Sequence, residues 1–167
     1  SLRWMFDLLL KNGDVYDGSG RVVCGQDIAI QDGMIVDLGK NLTGIAQQTI
    51  DASGLIVSPG FIDMHTHSDF TLIADGRAES QVHQGVTTEV IGQCGISCAP
   101  VVSKDNIKHV SPWFTSKAKY KGWLSFSEYL DALDETTLGV NVMAFVGHGT
   151  IHRAVMGDTL EPGNPDD

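Results

Sequence analysis

The sequence predicts an α/β chain in which a small β segment precedes parallel strands alternating with helices. Three observations carry this. Short apolar runs broken by Asn-Gly and Asp-Gly pairs fill residues 1–57. From residue 58 nearly continuous apolar strands alternate with helical stretches, the pattern of parallel strands covered on both faces. Polar histidine and cysteine residues flanked by glycine recur where those later strands end.

Phe6–Leu10 is an apolar run closed by Asn12-Gly13, which reads as a hairpin turn, and Val15-Tyr16 leads into a second turn, Asp17-Gly18-Ser19-Gly20. Asp27–Gln31 alternates, with Ile28 and Ile30 on one face. Asp32-Gly33 turns it into Met34–Leu38, since Asp-Gly accepts the positive φ values of a type I′ turn. Thr49-Ile50 and Leu55–Val57 complete a small antiparallel sheet or half-sandwich. Cys24 is expected inside it as a small buried hydrophobe.

After Ser58-Pro59-Gly60, Phe61–Thr66 reads as a strand and Ala74–Gln84 as a helix stopped by Gly85. Val86–Ile91 is a second strand, rich in β-branched residues and closed by Gly92. Ser125 and Glu128 form a capping box, followed by Phe126, Tyr129, Leu130 and Leu133 at core-facing helical spacing. Val140–Val146 is a third strand. Ser103–Gly122 has no clear period and is expected to be a long excursion over a strand end, in the position of a lid.

Eleven basic against twenty-one acidic residues give a net charge of −10, which argues against nucleic acid as a partner. No apolar run approaches the roughly 20 residues a membrane helix needs. Ser1-Leu2-Arg3-Trp4 does not open a signal peptide. Cys24, Cys94 and Cys98 are too few and too scattered for a disulfide framework, so a reducing cytoplasm is the expected setting. Dinucleotide-binding, phosphate-loop and nucleophile-elbow glycine motifs are missing, which lowers the case for a dehydrogenase, a P-loop enzyme or a serine hydrolase.

His65-Thr66-His67 carries most of the chemical information. Residues i and i+2 of a strand share a face, so both imidazoles, with Phe61 and Asp63, point one way and form half of a metal site. Chance HxH pairs are common, but this one stands at the C-terminal end of a parallel strand, where active sites occur. Cys94 holds the equivalent place after the next strand, in Gly92-Gln93-Cys94-Gly95. It is either a third ligand, ionised beside a cation, or a small core residue. Cys98 completes a CxxxC spacing but is expected to turn away. His148, in Gly147-His148-Gly149-Thr150, either lines the site to meet substrate or holds its loop in place. Asp63 is either an acceptor that orients an imidazole or a polar group lower on the same face.

Gly60-Phe61-Ile62-Asp63-Met64-His65-Thr66-His67-Ser68-Asp69, preceded by Ile50-Asp51-Ala52-Ser53-Gly54-Leu55, resembles the opening of the amidohydrolase superfamily. Gly85–Val90 with Gly92-Gln93-Cys94-Gly95, and Gly147–Ile151, resemble its N-acyl-D-amino-acid deacylase (D-aminoacylase) branch. The resemblance implies a small β-sandwich segment over 1–57 joined to a metal-dependent TIM-like (β/α)8 barrel, of which 58–167 would hold the first three βα units. It implies His65, His67 and Cys94 as metal ligands, with zinc favoured by mixed Cys and His donors. Substrate would be a small N-acyl amino acid, cleaved to a carboxylate and a D-amino acid. Gln93 stands where the branch more often has Asn, and His152 where it commonly has Arg. Three strands cannot close an eight-stranded barrel. The chain is therefore expected to be the N-terminal portion of a longer enzyme and inactive alone, with the remaining ligands and a general-base aspartate beyond residue 167. The alternatives are a cyclic-amide hydrolase of the dihydroorotase or hydantoinase kind, and a non-catalytic homologue fragment.

Overall fold

The computed structural model describes residues 5–102 and 120–157, and the chain divides into two compact units, Ser1–Pro59 and Gly60–Asp167. Most of the excursion expected over Ser103–Gly122 lies outside the described residues.

In the first unit β1 (Phe6–Tyr16), β2 (Val22–Gln31), β3 (Met34–Gly39), β4 (Ala46–Asp51) and β5 (Ile56–Val57) form one sheet, ordered β3-β2-β1-β4, with β5 also on β1. Asp32 and Gly33 adopt φ of 52° and 74°, as a type I′ hairpin between β2 and β3 requires. The sheet is mixed rather than antiparallel, because β4 and β5 both run parallel to β1. The connection after β3 carries the chain across β2 and β1 to the far edge, so β4 returns in the same sense as β3.

Asn12-Gly13 is not a hairpin turn. Asn12 has φ +61° and lies inside β1, where the pairing with β2 shifts by one residue between Leu10↔Ile28 and Gly13↔Gln26. This is a β-bulge, and its N–H is met by a side chain: Asp27 Oδ1 accepts from Asn12 N at 2.9 Å. The other oxygen of Asp27 accepts from Leu42 N at 2.9 Å and pairs with Lys11 Nζ at 2.8 Å. Burial opposes the Asp27 charge, but Lys11 and the two N–H donors outweigh it and hold the carboxyl below its usual range. Stability from this group is therefore present above the unfolded value near pH ~3.9 and lost as pH falls through the lower folded value. Asp27→Ala is expected to cost about 3 kcal/mol at neutral pH. In urea denaturation the gap to wild type should narrow at pH ~3, below the unfolded value; a gap that widens in acid would contradict this sign.

Cys24 is exposed, not buried. β3 pairs with β2 only from Asp27 to Gln31, so the arm carrying Cys24 extends past the neighbouring strand.

The second unit contains β6 (Phe61–Asp63), α1 (Asp69–Ala74), α2 (Glu79–Val82), β7 (Val86–Ile91), α3 (Phe126–Asp134), β8 (Asn141–Ala144) and α4 (His148–Met156). Its sheet is β6-β7-β8, parallel throughout. The single helix expected over Ala74–Gln84 is replaced by two short ones. Asp75 takes hydrogen bonds from the backbone and guanidinium of Arg77, and Gly76 O accepts from Gly139 N, which together turn the chain between them. A Cβ on Gly76 would lie 2.3 Å from Thr137 O, so the close approach needs glycine. The Ser125–Glu128 capping box forms in full. Tyr129 and Leu133 are buried, and Leu130, expected on the core face, is exposed. The core joins Phe70, Leu72, Ile91, Trp123, Tyr129 and Leu133. No helix among the described residues is long and apolar enough to cross a membrane.

Candidate metal centre

β6 is shorter than its apolar pattern suggests, and this determines where the histidines lie. Asp63 Oδ1 accepts from the backbone N–H of His65 at 3.1 Å, a local bond that competes with the ladder and bends the chain. His65 and His67 therefore stand in the turn just past the strand, not on it. Thr66 N still donates to Val90 O at 3.3 Å, which keeps the turn against β7. Asp63 thus serves the backbone of His65 rather than its ring. The two imidazoles are edge-to-face, with centroids 5.6 Å apart.

Beyond β7 the chain turns through Gly92 at φ +79°, Cys94 at φ +53° and Gly95 at φ +73°. A non-glycine residue in the left-handed region is strained, and such strain persists only where the surroundings impose it. Here it directs Cys94 Sγ to within 3.0 Å of His65 Nε2. Gln93 Nε2 crosses between the turns to Met64 O at 2.9 Å. Donor atoms of His65, His67 and Cys94 all lie within 4.8 Å of one another. Ligand atoms sharing one tetrahedral zinc sit roughly 3.5 Å apart, given bonds of ~2.0–2.3 Å. The observed spacings bracket that value, and two imidazoles with a thiol are a zinc-type donor set.

His148 is the first residue of α4 rather than part of a strand-end loop, is exposed, and does not join the three-residue cluster. The start of α4 is nevertheless packed on the Cys94 turn. Thr150 N donates to Gly95 O at 3.1 Å, and a Cβ on Gly147 would lie 2.5 Å from Gly95. Cys98 is fully buried in the core, where burial pushes its thiol well above the usual range.

Beneath the two turns lies a polar layer that sequence patterning missed. Ser68 donates its hydroxyl to Glu89 Oε2, and Asp69 Oδ1 accepts from Gly92 N at 2.9 Å. Tyr129 donates its hydroxyl to the backbone O of Asp69 at 2.9 Å. Burial pushes the Asp69 carboxyl up to about 6, and the neighbouring Glu89 adds to the shift. The available signal was Glu89 itself, an acid in an otherwise apolar or hydroxyl-bearing strand.

The sequence profile of the amidohydrolase family matches residues 48–167. The D-aminoacylase of Alcaligenes xylosoxydans xylosoxydans is 39% identical over 158 residues, 92% of this chain and 31% of that protein. A solved D-aminoacylase structure, described as defining a subset of amidohydrolases, superposes with a TM-score of 0.80 at 34% identity. It covers 96% of this chain and 34% of that one. The N-acyl-D-glutamate deacylase of Bordetella bronchiseptica was solved with zinc and a phosphonate mimic of the tetrahedral intermediate. It gives a TM-score of 0.78 at 31% identity, covering 92% of this chain and 32% of that one. The chain thus spans about a third of the length of the curated relatives it matches.

Proposed function

Because the chain belongs to the amidohydrolase family and carries its fold, we propose that His65, His67 and Cys94 hold zinc in a full-length enzyme that hydrolyses N-acyl-D-amino acids to a carboxylate and a D-amino acid. The observation that carries this reading is the convergence of two imidazoles and one thiol, from turns after adjacent parallel strands, within 4.8 Å. Support for the substrate class comes from the names of the relatives, D-aminoacylase and N-acyl-D-glutamate deacylase.

Zinc, when bound, supplies a Lewis acid that polarises a carbonyl and makes water acidic enough to react near neutral pH. The chain's own residues provide the setting. His65 and His67 present both rings from one bend, fixed by the Asp63 carboxylate on the His65 N–H. Cys94 closes the set from the neighbouring turn. His148, at the start of α4 against the Cys94 turn, is a substrate-pocket residue in this reading. In the full-length enzyme of this reading, an aspartate outside the cluster described above would be the general base that moves the proton to the leaving amine.

On this reading residues 58–167 are the first three βα units of a (β/α)8 barrel, and 1–57 a small β-sandwich segment. The supporting observation is apolar surface of the kind a partner layer covers. Phe61, Ile62, Met64 and Met143 are exposed around the three-stranded sheet, as are Met34, Ile35 and Ile56 in the first unit. The remainder of the polypeptide would complete both.

The test is an assay of the full-length protein on N-acyl-D-amino acids, their L enantiomers, hydantoins and dihydroorotate. Release of free amino acid from the D series alone, lost on chelation and restored by zinc, is the expected result. Turnover of the cyclic amides instead would favour a hydantoinase-like enzyme. No turnover of any panel member, with no zinc retained, would overturn the enzymatic reading.

A further inference from the structure

Two carboxyl groups sit directly behind the ligand-bearing turns, each with one oxygen hydrogen-bonded and the other left without a donor among the described residues. Glu89 is fully buried on β7, and Asp69 is 1% exposed at the start of α1. Among the described residues, no donor reaches Glu89 Oε1 or Asp69 Oδ2. Burying carboxyls with unfilled acceptors is costly, and an apolar residue at position 89 would suit the core better. Groups retained at such a cost cluster at functional sites.

Their partners indicate what they do. Glu89 accepts from the hydroxyl of Ser68, the residue directly after His67. Asp69, two residues after His67, accepts from the N–H of Gly92, two residues before Cys94. Glu89 is also the register partner of Asp63, whose carboxylate bends the chain at His65. Each carboxyl therefore ties the turn bearing the two imidazoles to the strand or turn leading to the thiol, and both ties are buried from competing water.

We propose that Glu89 and Asp69 are positioning residues that clamp the two ligand-bearing turns together, so that His65, His67 and Cys94 are prearranged for a cation before one arrives. The inference rests on the zinc reading above for its purpose, but not for its geometry. Neither carboxyl contributes a ligand atom to the cluster, so their effect passes through Ser68 and Gly92.

The experiment uses the full-length protein with Glu89→Leu, Glu89→Gln and Ser68→Ala, checked for folding by circular dichroism. Co²⁺ titration follows the thiolate-to-cobalt charge-transfer band. Loss of the clamp in Glu89→Leu should weaken Co²⁺ binding by about 10–100-fold, while Glu89→Gln, which keeps an acceptor, should remain close to wild type. If Glu89→Leu does not fold, Ser68→Ala removes the same hydrogen bond with the loss of one atom and carries the same expectation. Wild-type affinity and an unchanged band in a folded clamp variant would overturn the proposal.

A second measurement needs no metal. In metal-free protein, the nuclear Overhauser contact between the His65 ring and the Cys94 β-protons should be present in wild type and Glu89→Gln. It should be lost in Glu89→Leu or Ser68→Ala, and its persistence there would overturn the clamp. A wild-type protein that shows this contact but never develops the cobalt band would sink the zinc reading while leaving the clamp intact.

Discussion

Cys94→Ser in the full-length protein is expected to strip the site of zinc and lower kcat/KM by about a thousand-fold or more, roughly 4 kcal/mol of transition-state stabilisation. Serine nearly matches cysteine in shape, so the strained backbone at φ +53° sees little change. What changes is donor chemistry. A thiol near a cation ionises readily and is soft enough for zinc, whereas an alcohol is neither. Of the three candidate ligands in this cluster two would remain, and both rings come from one bend, leaving no candidate ligand on the β7 side among the described residues. The comparison variant is Cys24→Ser, exposed on β2 in the other unit, which should keep its zinc and its rate. Zinc per chain by atomic spectroscopy and kcat/KM on an N-acyl-D-amino acid read both variants. Full zinc content and full rate in Cys94→Ser would falsify the assignment of the thiol as a ligand.

The parts of the molecule that periodicity could read are those in which local preference and tertiary packing agree. β7 begins and ends where its β-branched run does, and the Asp32-Gly33 hairpin and the Ser125–Glu128 cap form as their residues dictate. Misreadings occur where a side chain competes with the ladder. Asn12-Gly13 carries the signature of a hairpin, but Asp27, fifteen residues away, satisfies the bulge and lets β1 run through. β6 stops at Asp63 because that carboxylate takes the His65 N–H, although Phe61–Thr66 alternates like a longer strand. Side-chain acceptors of this kind, distant for Asp27 and local for Asp63, leave no periodic trace. The three candidate ligands were legible because their chemistry is explicit in HxH and in a glycine-flanked cysteine. The Glu89–Ser68 and Asp69–Gly92 ties were not, since each depends on a register between strands that one sequence does not display.

Gly92→Ala should be the most damaging single-atom addition near the site, costing about 3–5 kcal/mol. Two costs add there. The residue sits at φ +79°, where an L side chain loses roughly 1–2 kcal/mol. Its Cβ would also lie 1.9 Å from Phe145 O and 2.7 Å from Phe145 C, an overlap with backbone that no rotamer change relieves. Either the segment after β8 must retreat, at the expense of the Phe145 N bond to Ile91 O, or Gly92 must shift and give up its N–H bond to Asp69. Each route loosens the turn that presents Cys94 two residues later, so metal affinity should fall with stability. Gly18→Ala isolates the first cost, because Gly18 has φ +87° with nothing within 4 Å of the added carbon. It should lose only about 1 kcal/mol and bind zinc normally. Urea midpoints and zinc titrations on the two variants separate the terms. Equal destabilisation at both positions would mean that the close approach of Phe145 contributes nothing, and that backbone conformation alone requires glycine at the end of β7.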